Sequence, residues 1–199
     1  MFHDIPEAMQ KRMRHLEAID AADRSDGTPH ARRLRQIPPE TGRFLAILAA
    51  AAPAGQLLEV GTSAGYSALW LSLACRSRGT SLASIDRDPD KLALAEETLR
   101  LTGTDDVVRL IRGDALAILE PMQDVAFAFI DANRNVLEPC MDLLIPRLVP
   151  GGIVAADNVI SHAHEIPGVV ERIMDDPRLD AVVVPIGSGV LIGRRVAKI

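Results

Sequence analysis

Thiols are scarce in this chain. Its only cysteines, Cys75 and Cys140, are too few and too far apart to build a zinc site or a disulfide framework, and they are expected to be buried apolar thiols. Basic residues are outnumbered, with 22 Lys and Arg against 27 Asp and Glu, and the formal net charge is −5. That excludes the electrostatic footprint of a nucleic-acid binder. Long apolar runs are missing too. The longest early one, Phe44 to Ala52, stops at Pro53 and is too short to span a bilayer, so no membrane partner is expected. Asp4, Glu7, Lys11, Arg12 and Arg14 interrupt the first residues, so no signal peptide is read there and a cytoplasmic protein is expected. No internal repeat or low-complexity tract is present. What remains is an ordinary globular composition, 48% hydrophobic and 25% charged over 199 residues, enough for one domain with a substantial core.

The organisation changes near residue 37. Residues 1–36 are polar, with a loop signal at Ser25-Asp26-Gly27-Thr28-Pro29 and a rough helical stripe through Met9, Met13, Leu16 and Ile19 or Asp20. This helical segment could cover a site, pair with another subunit or fray. Residues 37–199 alternate regularly and form the expected main domain. Helices are expected over Glu40–Ala52, Tyr66–Cys75, Pro89–Leu101, Ala115–Leu119, Asn135–Leu148 and Gly168–Met174. Strands are expected over Gln56–Val60, Ser81–Asp86, Val107–Arg112, Val125–Ile130, Ile153–Ala156, Ala181–Val184 and Val190–Gly193, with Pro150-Gly151-Gly152 turning the chain into the fifth. Pro139 and Pro146 put the limits of the helix over Asn135–Leu148 in question. Only Gly187-Ser188-Gly189 and its neighbours separate the last two strands, which makes them an antiparallel pair. The fold class is therefore α/β, a seven-stranded, mostly parallel, Rossmann-like sheet with helices on both faces and a C-terminal antiparallel hairpin.

The most telling stretch is Leu57-Leu58-Glu59-Val60-Gly61-Thr62-Ser63-Ala64-Gly65-Tyr66-Ser67. A buried strand turns sharply into a helix there, with glycines where positive φ or close approach of a ligand is needed. Such a turn aims helix N–H groups above the strand. The next strand ends in Asp86, placed to accept hydrogen bonds from a ribose. Glu59, Asp86, Asp114, Asp131 and Asp157 all stand at strand ends, where an open α/β sheet binds its ligands. An isolated Asp at such a place is usually a turn or helix cap. A cluster of them is different, because carboxylates repel one another without a cation or donors. Asp131, Asp157 and Asn158 offer three hard oxygen ligands suited to a Mg²⁺-type ion.

Taken in order, Leu57–Ser67, Ile85-Asp86, Gly113-Asp114-Ala115, Phe129-Ile130-Asp131-Ala132 and Ala156-Asp157-Asn158-Val159 resemble the cation-dependent catechol and caffeoyl-CoA type O-methyltransferases. The likeness runs from about Ile37 to Arg194. It implies S-adenosylmethionine and a divalent cation, Mg²⁺ first, as cofactors. A small-molecule vicinal diol or catechol-like hydroxyl is the implied acceptor, and a homodimer the expected assembly. It assigns Glu59, Gly61, Thr62 and Ser67 to the amino-acid end of the cofactor and Asp86 to the ribose. Asp114 and Ala115 go to the adenine, and Ile37 to a backbone contact. Asp131 would touch both cofactor and metal, with Asp157 and Asn158 completing the metal ligands. The resemblance also implies a lysine base three residues after Asp131. Arg134 stands there, Leu137 stands where a tyrosine is often found, and Lys11, Lys91 and Lys198 are the only lysines. Arginine stays protonated, so Arg134 suits the stabilisation of a phenolate better than the work of a base. His162 and His164 are the nearby candidates for that work.

Rival readings start from the same residues. Gly61-Thr62-Ser63-Ala64-Gly65 fits the nucleophile elbow of α/β-hydrolases, with Ser63 as nucleophile and an Asp and His downstream. An elbow on the first strand, with no upstream oxyanion loop, argues against it. A dinucleotide oxidoreductase would need G-x-G-x-x-G, which is absent. A non-catalytic relative that binds S-adenosylmethionine is the third alternative, motivated by Arg134.

Overall fold

The apolar runs become one seven-stranded sheet in the order β3-β2-β1-β4-β5-β7-β6. The computed structural model describes residues 1–197, so Lys198 lies outside the described residues. The strands are β1 (Gln56–Val60), β2 (Leu82–Asp86), β3 (Val108–Arg112), β4 (Val125–Ile130), β5 (Leu148–Ala156), β6 (Leu179–Val184) and β7 (Val190–Arg195). β1 to β5 pair in parallel, and β7 is antiparallel to both β5 and β6. Helices α1 (Glu7–Asp23), α2 (Pro39–Ala51), α3 (Tyr66–Arg78), α4 (Pro89–Thr102), α5 (Ala115–Leu119), α6 (Arg134–Arg147) and α7 (Val169–Met174) complete the domain.

Side chains alternate across the sheet as the pleat requires. Leu57, Phe127, Phe129 and Ala155 join the core under α2 and α3. Leu58, Ala128, Ile130 and Val154 join the opposite core with Leu137, Met141 and Leu144 of α6. Both faces are covered, which is why the central strands read as unbroken apolar runs. Helix α3 is buried from Tyr66 to Cys75 because the sheet lies beneath it and other helices lie around it. Gly79, in the left-handed region at φ +64°, ends it: the Gly79 and Thr80 N–H groups return to Arg76 and Cys75 carbonyls. Cys75 and Cys140 are free and buried, as expected.

Three expectations are refined. The N-terminal stripe forms α1, which packs on α4 and α3 and puts Met9, Met13 and Leu16 into the same core as Trp70. Each such burial is worth about 1.5–3 kcal/mol, so this helix is held rather than frayed. Pro150-Gly151-Gly152 does not turn the chain. It lies inside β5, and the register against β4 shifts between Val125 and Phe127 to accommodate it. Helix α6 runs through Pro139 and Pro146. Each proline forfeits a backbone bond, which the buried Leu137, Cys140, Met141, Leu144 and Ile145 offset.

No helix among the described residues is long and apolar enough to cross a membrane.

Candidate functional site

The strand order reverses between β1 and β4, and ligand sites of open α/β sheets form above such a switch point. The ladder carries on one residue past each strand. Gly61 N–H reaches the Ile85 carbonyl at 2.9 Å, Asp131 N–H the Val60 carbonyl at 2.8 Å, and Asp157 N–H the Ile130 carbonyl at 3.0 Å. These bonds bring the ends of β1, β4 and β5 together.

At β1, Glu59 is fully buried under the N-terminus of α3. Ser84, its register partner on β2, donates to Glu59 Oε2 at 2.5 Å. Thr62 in turn shares a 2.6 Å bond with the Ser84 hydroxyl. Glu59 Oε1 is buried without a partner. Burial pushes this carboxyl up to about 7, against the pull of Ser67 and Ser84 and helped by the charge of Asp86.

That shift sets a stability prediction. The native state holds the Glu59 proton to higher pH than the unfolded chain, so stability falls as pH rises between about 4.5 and 7. Glu59→Gln removes the ionisation and is expected to be the more stable protein at pH 8, by up to about 3 kcal/mol. Urea unfolding at pH 5 and pH 8 checks it. An equal loss of stability in both proteins would contradict it.

Asp86 accepts from the Ser63 N–H at 2.9 Å and the Asp88 N–H at 3.0 Å. Ser63 sits in the left-handed region at φ +46°, and its hydroxyl donates to the Leu34 carbonyl at 2.9 Å. A serine spent in this way, with no histidine bonded to it, is not a hydrolase nucleophile. Asp114 is exposed and caps α5 by accepting from Leu116 N–H at 2.9 Å, with Ala115 beside it half-buried. Ile37 is buried in the core shared with α1 and α3, and Ser67 is buried in the first turn of α3.

At β4 and β5, the Asn158 amide donates to Asp131 Oδ1 at 2.9 Å and to Asp157 Oδ2 at 3.3 Å. Burial first, then the charge of Asp157, holds the Asp131 carboxyl well above the ordinary carboxylate range, and burial likewise raises Asp157. Asp157 Oδ1 is buried and unpartnered. Asn158 holds φ +69°, a conformation that asparagine tolerates better than most residues. Among the described residues no three His, Cys, Asp or Glu side chains gather as a metal-ligand set. Here the donors are two carboxylates and an amide. They suit a hard cation: a bare carboxylate oxygen waits, and turning the Asn158 amide over would present its oxygen.

Arg134 opens α6, half-buried, with Nη1 donating to the Ala132 carbonyl at 3.0 Å and Nε buried without a partner. Its charge draws both aspartates downward. Leu137 is buried in the core with Met141 and Leu144. His162 and His164 lie on the loop after β5, where His162 Nδ1 bonds the Ser161 hydroxyl at 2.7 Å and His164 is exposed. That loop is laced to the β6–β7 turn through Val159, Ile160 and Ser161 N–H groups on the Gly189 and Ser188 carbonyls.

Several connections escape sequence reasoning. Buried Asp20 and Asp23 of α1 accept the Gln36 and Leu34 N–H groups, and Lys91 Nζ donates to the Arg32 and Arg33 carbonyls. Together they clip residues 32–36 beside the Gly61–Gly65 turn. Ser84 did carry a signal, because a hydroxyl inside a buried parallel strand must find a partner.

A family model described as O-methyltransferase matches residues 25–196. The tapetum-specific methyltransferase 1 of Arabidopsis thaliana is 28% identical over 181 residues, covering 80% of this chain and 77% of the relative. A catechol O-methyltransferase of Niastella koreensis is 31% identical over 129 residues, covering 62% of this chain and 58% of the relative. The fold matches the S-adenosylhomocysteine-bound Podospora anserina methyltransferase with a TM-score of 0.80 at 21% identity, over 97% of this chain and 89% of that one.

Proposed function

The chain belongs to the O-methyltransferase family and is an S-adenosylmethionine-dependent enzyme, and from that premise we propose that it methylates one hydroxyl of a small vicinal diol with the help of a divalent cation. One observation carries this reading: two buried carboxylate oxygens without partners, on Glu59 and Asp157, flank the switch point of the sheet. Bound S-adenosylmethionine supplies an electrophilic methyl on a sulfonium, and a bound cation supplies Lewis acidity toward two neighbouring hydroxyl oxygens.

The residues divide the remaining work. Glu59, Gly61, Thr62 and Ser67 hold the amino-acid end of the cofactor, and Asp86 accepts from its ribose. Asp114 and Ala115 border the adenine, and Ile37, its side chain in the core, meets the cofactor through its backbone. Asp131, Asp157 and Asn158 would hold the cation, with Mg²⁺ suited to their oxygen donors. Arg134 places a permanent positive charge beside Asp131 and Asp157, where it can stabilise an ionised acceptor oxygen. Its fixed charge leaves the proton to another acceptor, for which His162 is the half-buried candidate. The catechol activity named for the Niastella relative supports a flat chelating diol as acceptor.

The test incubates the protein with S-adenosylmethionine and a catechol, with Mg²⁺ or with excess chelator. Methylated product only in the presence of the metal is expected, and full methylation in chelator would end the metal reading. A second measurement does not depend on turnover. Mg²⁺ should raise the melting temperature at pH 8 by a few degrees, about what 1 kcal/mol of linked binding gives in a chain of this size. Asp157→Ala should lose that shift while binding S-adenosylhomocysteine as before. A metal-induced shift that survives in Asp157→Ala would place the ion elsewhere.

A further inference from the structure

The most completely buried hydrogen-bonded chain of polar side chains among the described residues is Thr62, Ser84 and Glu59, at 1%, 0% and 0% exposure. Its members come from three places: the end of β1, the middle of β2 and the turn after Gly61. The parallel register sets Ser84 opposite Glu59, so the two side chains leave the same face of the sheet. The direction of the chain follows from proton counting. An ionised carboxylate can only accept, so the single Ser84 proton goes to Glu59 Oε2 across 2.5 Å. The 2.6 Å contact between Ser84 and Thr62 must then be donated by Thr62. The consequence is an asymmetric carboxylate. Oε2 is fixed by a short charge-assisted bond from Ser84, and Oε1 is buried without a hydrogen-bond partner, although the nearby Ser67 hydroxyl also draws the carboxyl downward.

A bare buried carboxylate oxygen is unfavourable unless something cationic meets it. The enzyme's own cofactor ends in an α-ammonium group, with three N–H donors and the opposite charge. We propose that Ser84, anchored by Thr62, is a positioning residue that fixes the Glu59 carboxylate so that Oε1 is reserved for the cofactor's ammonium. The Thr62 side chain then acts through Ser84, because its hydroxyl is committed inside the protein, which leaves only its backbone to meet the cofactor. The inference rests on the reading of Glu59 as a residue of the cofactor's amino-acid end.

Two ligands separate that end from the rest of the cofactor. S-adenosylhomocysteine carries the amino-acid group, while 5′-methylthioadenosine keeps the adenosine and thioether and lacks it. Calorimetry on the full chain at pH 8 compares the parent with Ser84→Ala, Ser84→Thr, Thr62→Val and Glu59→Gln. Ser84→Ala is expected to weaken S-adenosylhomocysteine about tenfold, the scale of one charge-assisted hydrogen bond, and to leave 5′-methylthioadenosine unchanged. Ser84→Thr keeps the hydroxyl and should restore most of the affinity. Thr62→Val should act in the same sense as Ser84→Ala but more weakly. A pH series adds a readout that damaged packing would not move. Without the Ser84 proton the Glu59 carboxylate is less stabilised, so the pH above which S-adenosylhomocysteine binds tightly should move upward in Ser84→Ala.

Unchanged affinity for S-adenosylhomocysteine in Ser84→Ala, or equal losses for both ligands, overturns the relay. If Glu59→Gln weakens S-adenosylhomocysteine while Ser84→Ala does not, the relay alone is wrong. If Glu59→Gln also binds it normally, the assignment of Glu59 falls and the relay with it. Should Ser84→Ala not fold, Thr62→Val with the same two ligands decides the question, and equal effects on both would reject the proposal.

Discussion

Gly61→Ala is expected to destabilise the protein by about 3–5 kcal/mol, combining left-handed backbone strain with overpacking against a rigid neighbour. Gly61 holds φ +100°, and a Cβ there would run into the backbone carbonyl of Asp131. That carbonyl cannot step aside, because the Asp131 N–H is tied to the Val60 carbonyl at 2.8 Å. The glycine is thus required first by the meeting of β1 and β4, before any ligand arrives. Gly79→Ala is the control: φ is +64° there, but a Cβ meets nothing within 4 Å. Only the conformational penalty should appear, about 1 kcal/mol. Urea unfolding of both variants measures the difference. Similar losses at the two positions would mean that the close approach of Asp131 is not a constraint.

The strands and the positions of the acidic residues at their ends are readable because both depend on one local rule. A parallel strand buried on both faces must be apolar, so Val125–Ile130 and Gln56–Val60 stand out, and their ends are marked by the glycine or acid that follows. The hairpin was readable from its glycine-bearing turn. What could not be read were the long-range satisfactions of buried polar groups. Arg12 interrupts the apolar stripe of α1, yet it is buried because Thr98 and Glu97 of α4 receive its guanidinium. Asp20 and Asp23 stand near a helix end, and their partners are backbone N–H groups of residues 36 and 34. Nothing in local spacing names such partners. Asp114 caps α5, whereas Asp131 and Asp157 are drawn into a shared pair through Asn158. Only the sheet order separates those outcomes.

Arg134→Ala is expected to lower turnover on a catechol by about 10²–10³-fold, the usual loss when one preorganised charge is taken from a developing oxyanion. Cofactor affinity should change far less, because none of the residues assigned to the cofactor's amino-acid end or ribose depends on the guanidinium. The pH dependence should change in a definite direction. Arg134 now draws the Asp131 and Asp157 carboxyls downward against the burial that raises them. Without it both hold their protons to higher pH, so the acidic limb of the pH–rate profile moves upward. Arg134→Lys restores a positive charge and should bring that limb most of the way back. It also adds a group able to titrate, so the alkaline limb should bend where the parent's does not. Steady-state kinetics from pH 5 to pH 10 at a fixed Mg²⁺ concentration below saturation, where protons compete with the ion for Asp131 and Asp157, read both limbs. Turnover that is unchanged in Arg134→Ala on a verified diol would remove the residue from the mechanism, leaving Asp131, Asp157 and Asn158, with the cation they hold, to organise the reaction.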